Sequence, residues 1–258
     1  MSEKIQEQNT LTIKKLKSPR ELGDCSAADV ADCLKRLLCS QEEVNMIFAA
    51  APSQNEFLEA LRNMPDIEWE RINAFHMDEY IGLPQDAPQR FGTYLREHIM
   101  GCVPFRSVHY LDGSAQNILE ECRRYAALLR RFPVDIVCLG IGENGHIAFN
   151  DPHTALFQDP EAVKRVTLDL TCRNQQVHDG CFSSLEVVPE QAVTLTIPSL
   201  FAGRYLFCMV PGEKKAAAVK RAVEGKIEEA CPASILRRHP NAILYVDEAS
   251  GALLGKDP

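Results

Sequence analysis

The stretch Leu139-Gly-Ile-Gly-Glu-Asn-Gly-His-Ile-Ala-Phe-Asn-Asp-Pro152 decides how this chain reads. Ahead of it, Val134-Asp-Ile-Val-Cys138 is short, apolar and rich in β-branched residues, and Pro133 introduces it. That pattern predicts a buried strand. The chain leaves the strand through Gly140, Gly142 and Gly145, so the backbone can turn sharply and come close to a ligand. An imidazole, His146, and a carboxylate, Asp151, follow directly. In an open parallel sheet ligands bind at the carboxyl ends of strands, where this loop would lie. It therefore reads as the floor of an active site. Taken alone, it would also fit a tight turn around a buried histidine.

Gly140-Ile-Gly-Glu-Asn-Gly145 also satisfies the G-x-G-x-x-G pattern of a dinucleotide site. That fingerprint should open a helix, yet Asn150, Asp151 and Pro152 disfavour a long one here. No clear strand ending in an acidic residue follows at the expected distance. No nucleotide cofactor is expected.

The 258 residues suffice for one large α/β domain with a sizeable core. A formal charge of −8 argues against nucleic acid or an anionic membrane as the main partner. No apolar run approaches the roughly 20 residues that span a bilayer, and the polar amino terminus has no signal-peptide core. The 10 cysteines include no C-x-x-C pair and show no framework spacing. Cys138 and Cys208 sit in apolar runs, as small hydrophobes do. A reduced, zinc-free, cytoplasmic protein is expected.

Strands and helices alternate through the first 150 residues. Strands are expected near 44–50, 69–75, 107–111 and 134–138. Helices are expected from a capping box at Ser26–Asp29, around Phe57 and Leu61, over 91–99 and over 114–131. The first dozen residues would fray or form an edge segment. Residues 153–190 are polar and irregular, the composition of a lid or binding loop, set at about 153–185. Strands near 192–197, 205–210 and 242–246 and a helix after Pro211-Gly-Glu213 complete the chain. The expected fold is a single α/β domain over 1–258, a doubly wound, mostly parallel sheet with helices on both faces.

Asp78 and Glu79 fall where a strand meets a loop, beside Phe75, Met77 and Tyr80. Partial desolvation would raise such a carboxyl's pKa and suit it to act as a base; a solvated acidic turn is the alternative. Asp151 would fix the tautomer of His146, and Asn144 would orient the ring or merely favour the turn. Basic groups for an anionic substrate are Arg173, on the lid, and Lys215, in the first turn of a helix, unless both are surface charges. Amides around Ser53 and Gln54 start another helix and are suited to phosphate.

Together, Phe75-His-Met-Asp-Glu-Tyr-Ile-Gly-Leu83 and the 140–152 stretch resemble the two signatures of the glucosamine-6-phosphate deaminase/isomerase family. The resemblance continues through Ala192-Val-Thr-Leu-Thr196 and Lys215-Ala-Ala-Ala-Val-Lys-Arg-Ala-Val-Glu-Gly225, so it covers most of the chain. The related 6-phosphogluconolactonases share the Gly-His core but usually continue toward Ser-Leu-Phe-Pro, whereas Ile147-Ala-Phe-Asn150 follows the deaminase branch.

The resemblance implies that Asp78 moves the C2 proton of an opened amino sugar to C1, and that His146 opens the ring with help from Asn144 and Asp151. Water then displaces ammonium, turning glucosamine 6-phosphate into fructose 6-phosphate. It further implies substrate contacts from Glu79, Ser53, Gln54, Gly142, Gly145, Arg173 and Lys215, with no metal or organic cofactor. Two positions depart from the family pattern. Ala51-Pro-Ser-Gln54 stands where many members have Gly-Gly-Thr, and Asp151 stands where Glu is usual. Other readings are a sugar-lactone hydrolase and a non-catalytic sugar-phosphate sensor on the same fold. Self-association into a homo-oligomer is left open.

Overall fold

Residues 10–255 are described by the computed structural model of the chain. Its main sheet has seven strands, all parallel, in the order β1-β10-β9-β6-β2-β3-β5. In chain order they are β1 (Thr12–Lys15), β2 (Val44–Phe48), β3 (Ile72–His76), β5 (Ser107–His109), β6 (Ile136–Leu139), β9 (Tyr205–Val210) and β10 (Ala242–Val246). Every residue of β2, β3 and β6 is buried. Helices cover both faces of these strands, so they read as unbroken apolar runs rather than as alternating ones. The strand expected just ahead of the glycine-rich loop is β6, at the centre of the sheet.

β6 pairs with β2 on one side and β9 on the other. The chain runs outward from β2 through β3 and β5, then returns to β6 and runs out the other way through β9 and β10. Such a reversal opens a crevice beyond the carboxyl ends of the central strands.

Helix α1 (Pro19–Leu38) starts earlier than its expected capping box. Ser18 is the true cap, accepting from the Glu21 N–H at 3.2 Å, with Pro19 in the first turn. The Ser26 hydroxyl instead donates to the Leu22 carbonyl inside the helix. Beside it lies α2 (Asn55–Arg62). The helix expected over 91–99 is α3 (Phe91–Leu95) and then a π-type turn to Met100, and α4 (Ile118–Arg131) begins later than expected.

The larger departure concerns residues 153–190. They hold β7 (Val163–Thr167) and α5 (Leu170–His178). β7 joins β4 (Asp78–Tyr80) and β8 (Gln191–Leu195) in a second, antiparallel sheet ordered β4-β8-β7. β7 buries only Val163 and Val166, and the buried face of α5 is Cys172, Gln175 and Gln176. Both elements therefore lack the apolar signal that reveals a strand or helix. After β8 come α6 (Ile197–Phe201) and α7 (Ala216–Glu224). Residues 1–9, part of the expected fraying segment, lie outside the described residues; β1 is the expected edge. All ten cysteines are free thiols. Among the described residues no helix is long and apolar enough to cross a membrane.

The crossing of α1 and α2 depends on Gly23. A methyl group there would lie 2.6 Å from the backbone carbonyl carbon of Glu56. Gly23→Ala gains up to about 1 kcal/mol of helix propensity but must push two helices apart. The expected outcome is a net loss of about 1–2 kcal/mol, seen as a lower urea midpoint with an unchanged slope.

Candidate active site

The loop leaving β6 closes on itself through two backbone bonds, Gly142 N–H to the His146 carbonyl at 3.0 Å and Gly145 N–H to the Gly142 carbonyl at 2.9 Å. Gly145 has φ of +91° and supplies the reversal. Gly142 serves a different need. A Cβ there would lie only 2.1–2.3 Å from three atoms of the His146 imidazole, so the ring rests directly against the backbone.

Behind the ring is a short polar chain. His146 Nδ1 lies 2.8 Å from Asn144 Oδ1 and 3.2 Å from Asp151 Oδ1. Asn144 Nδ2 donates to Asp151 Oδ1 at 2.9 Å and to Asp169 Oδ2 at 2.8 Å, which fixes the orientation of the amide. Both neighbours of Nδ1 are acceptors, so Nδ1 carries the proton and the neutral ring has its lone pair on Nε2. Asp151 is fully buried. Burial pushes its carboxyl up, but hydrogen bonds from His146, Asn144 and the Asp169 N–H outweigh that and leave its pKa lowered. Asp169, which the sequence reading missed, also caps α5 by accepting from the Cys172 N–H at 2.6 Å.

Asp78 reaches the same cleft from another strand. β3 ends at His76, Met77 carries the chain across, and Asp78 begins β4 in the second sheet opposite Thr194. Asp78 and His146 both line the cleft, with Met77, Phe91 and Phe149 as apolar neighbours. Burial first, and the nearby Glu79 charge second, hold the Asp78 carboxyl well above the usual carboxylate range.

The remaining polar wall comes from Ser53 and Gln54 in the 3-10 turn Pro52–Gln54, from Gln175 and Gln176 on α5, and from Lys215. Burial lowers the Lys215 pKa, with the Asp179 and Glu143 carboxylates opposing that shift. Gln175 and Gln176 lie within the polar cluster that marked the expected lid, but no single-residue signal singled them out.

Three expected contacts are placed elsewhere. Successive strand residues face opposite ways, so Glu79 points away from Asp78. It accepts from the Tyr80, Phe91 and Gly92 N–H groups, 3.7 Å from Arg90, on the wall of a different cavity. Arg173 donates to the Leu185 and Val188 carbonyls, each at 2.9 Å. Gly145 faces Cys231, whose sulfur would lie 2.9 Å from an added Cβ. Asn144 and Asp151 support the ring from behind rather than lining the cleft.

Ligand atoms of His146, Asp151 and Cys172 lie within 4.8 Å of one another, as do those of Asp151, His153 and Asp169. In the first group Nδ1 already donates a proton, so a metal there would displace the bonds that set the tautomer. In the second, Asp151 and Asp169 are committed to the Asn144 amide.

The chain matches the family described as glucosamine-6-phosphate isomerases/6-phosphogluconolactonase over residues 17–245. The glucosamine-6-phosphate deaminases of Bacillus thuringiensis and Bacillus anthracis are each 32% identical to it over 244 residues, covering 94% of this chain and 89% of theirs. The chain belongs to this family. Among solved structures, a monomeric glucosamine-6-phosphate deaminase superposes with a TM-score of 0.85 at 27% identity, covering 94% of this chain and 99% of that one. The 6-phosphogluconolactonase of Thermotoga maritima shares the fold, with a TM-score of 0.74 at 21% identity, covering 92% and 99%. This family member thus keeps the two signature stretches at the ends of β3 and β6, the strands on either side of β2.

Two substitutions probe the geometry. Gly142→Ala must tilt the imidazole, and a displacement near 1 Å costs on the order of 100-fold in turnover; circular dichroism should be unchanged. Asp78→Asn is expected to stabilise the fold at neutral pH. A carboxyl with a raised folded-state pKa contributes stability below its unfolded pKa and loses it as pH rises through the folded one. Replacing it with a neutral amide should raise Tm by about 2–4 °C per kcal/mol relieved at pH 8 and by less at pH 4, as read by calorimetry.

Proposed function

We propose that this protein is a deaminating aldose–ketose isomerase of 2-amino sugars, with glucosamine 6-phosphate and water giving fructose 6-phosphate and ammonium. The observation that carries the reading is the pairing, in one cleft, of a desolvated carboxylate with an imidazole whose Nε2 lone pair is free. An isomerase needs two such groups at adjoining positions, and neither needs a metal to act.

His146 takes the anomeric hydroxyl proton on Nε2 and returns it to the ring oxygen, opening the sugar. Asp151 and Asn144 hold the ring and offset the imidazolium that forms. Asp78 removes the C2 proton, which the adjacent carbonyl and amine acidify, and the enolamine takes it back at C1. Water then adds at C2 as the C–N bond breaks, leaving ketose and ammonium. The segment 153–185 acts as a lid, a reading supported by Gln175 and Gln176 on the cleft wall. The chain's likeness to glucosamine-6-phosphate deaminases supports the cytoplasm as its setting.

Lactone hydrolysis on the same fold would need His146 but not Asp78. Ammonium release from glucosamine 6-phosphate should therefore fall by about 10²–10⁴-fold in Asp78→Asn. A variant that still released ammonium at the parent rate would remove the assignment. Because Asp78 must be ionised and its pKa is raised, the acid limb of kcat/KM should lie above about pH 4, where an ordinary aspartate titrates.

A further inference from the structure

The orientation of His146 depends on groups outside its own loop, and helix α5 supplies them. Asp169, the cap of that helix, accepts from Asn144 Nδ2 at 2.8 Å through Oδ2, and its N–H donates to Asp151 Oδ2 at 3.0 Å. Further along α5, Gln175 Oε1 accepts from the Glu143 N–H at 2.9 Å. Glu143 and Asn144 precede His146 in the chain and Asp151 follows it, so the helix grips the loop on both sides of the imidazole.

The decisive contact is the one at Asn144. Its Oδ1 accepts from the His146 N–H at 3.0 Å and stands 2.8 Å from Nδ1. Its Nδ2 has two acceptors, Asp151 Oδ1 at 2.9 Å and Asp169 Oδ2. One amide nitrogen is thus set between two carboxylates, with a proton for each. Asp151 Oδ1 also stands 3.2 Å from Nδ1, whereas Asp169 acts on the ring through the amide.

We infer that Asp169 is a positioning residue for the proton transfer at His146. Through Asn144 it holds the imidazole where the anomeric hydroxyl and ring oxygen of the sugar are met, and the step requires the match of a donor at 144 to an acceptor at 169. The inference rests on the deaminase reading above and adds to it a residue that acts at one remove. Asp78 is carried by β4 and β8 rather than by α5. Ring opening is therefore the step that depends on Asp169, and C2 proton transfer is not.

The test is ammonium release from glucosamine 6-phosphate by full-length variants. Asp169→Asn keeps the side chain's size, and asparagine caps a helix as well as aspartate does, so the Cys172 N–H keeps its acceptor. What changes is that two amide nitrogens meet where a donor met an acceptor. The expected result is a fall in kcat of about 10–100-fold, the worth of one hydrogen bond to a charged group, with KM little changed. Asn144→Asp should also lower kcat, because three carboxylates then meet where Nδ2 supplied the donor. In that background the sign reverses: adding Asp169→Asn returns a donor, and kcat should rise about tenfold. A residue that served only as a helix cap would cost the same in both backgrounds. The C2-deuterium isotope effect on kcat/KM should not rise in Asp169→Asn; a rise places the damage at Asp78 and overturns the inference. An unchanged kcat in Asp169→Asn, a loss carried by KM instead, or no gain on adding it to Asn144→Asp also overturns the inference and leaves the deaminase reading standing. Should Asp169→Asn not fold, Asp169→Ser keeps a cap but lacks the reach to Asn144, and the same loss in kcat is expected of it. No ammonium from the folded parent removes the deaminase reading, and the inference with it.

Discussion

The site is held together by the hydrogen bonds that β8 makes to two separate limbs. Thr194 lies opposite Asp78 in the second sheet, and the Leu195 N–H donates to the Met77 carbonyl at 2.8 Å. Thr194 Oγ1 also accepts from the Phe149 N–H at 3.1 Å, and the Leu195 carbonyl accepts from Asn150 Nδ2 at 2.8 Å. One strand thus fixes both the carboxylate limb after β3 and the imidazole limb after β6. Thr194 and Leu195 are fully buried, where an unmade bond strands its partner away from water. The imidazole limb is also strained: Ala148 has φ of +49°, which costs a non-glycine residue about 1–3 kcal/mol. Asn150 holds that bend closed by also donating to the Ile147 carbonyl at 3.0 Å.

Two carboxylates buried in the same region are driven in opposite directions. Asp78 is desolvated beside a second acid, and its pKa rises. Asp151 is no less buried, but donors surround it and its pKa falls. The same linkage that makes Asp78 a cost at neutral pH makes Asp151 an asset. A depressed carboxyl contributes stability above its unfolded pKa and loses it as pH falls through the folded one. Environment alone separates the group suited to take a proton from the group suited to hold a neighbour still.

The central parallel strands and the loop after β6 were legible because burial on both faces and a cluster of glycines leave strong marks in a sequence. The polar chain of Asn144, His146 and Asp151 was legible too, since a turn brings residues close in sequence together in space. The second sheet was not, because β7 shows the core only Val163 and Val166. The Gln175 and Gln176 wall was hidden for a related reason: a helix that buries glutamines looks like a loop. Glu79 was assigned with Asp78 because a strand–loop junction gives no facing. Once β4 is recognised as a strand, its period of two allows only one of the adjacent acids into the cleft. Asp169 could have been found, since an aspartate ahead of Leu170-Thr-Cys172 fits a helix cap.

The shorter side chain at position 151 shows how the loop accommodates a change in its own chemistry. The resemblance leads one to expect Glu there, and losing a methylene withdraws the carboxylate by about 1.5 Å, roughly one C–C bond. Asp151 Oδ1 stands 3.2 Å from Nδ1, while the Asn144 carbonyl oxygen stands closer, at 2.8 Å. Orientation of the ring therefore comes mainly from the amide, and the negative charge comes from the carboxylate behind it. The amide can serve because its Nδ2 is anchored on both Asp151 and Asp169, so it cannot rotate without giving up both bonds. The position of His146 thus rests on the start of α5 as well as on its own loop. In this chain the segment after residue 153 is structurally tied to the imidazole limb.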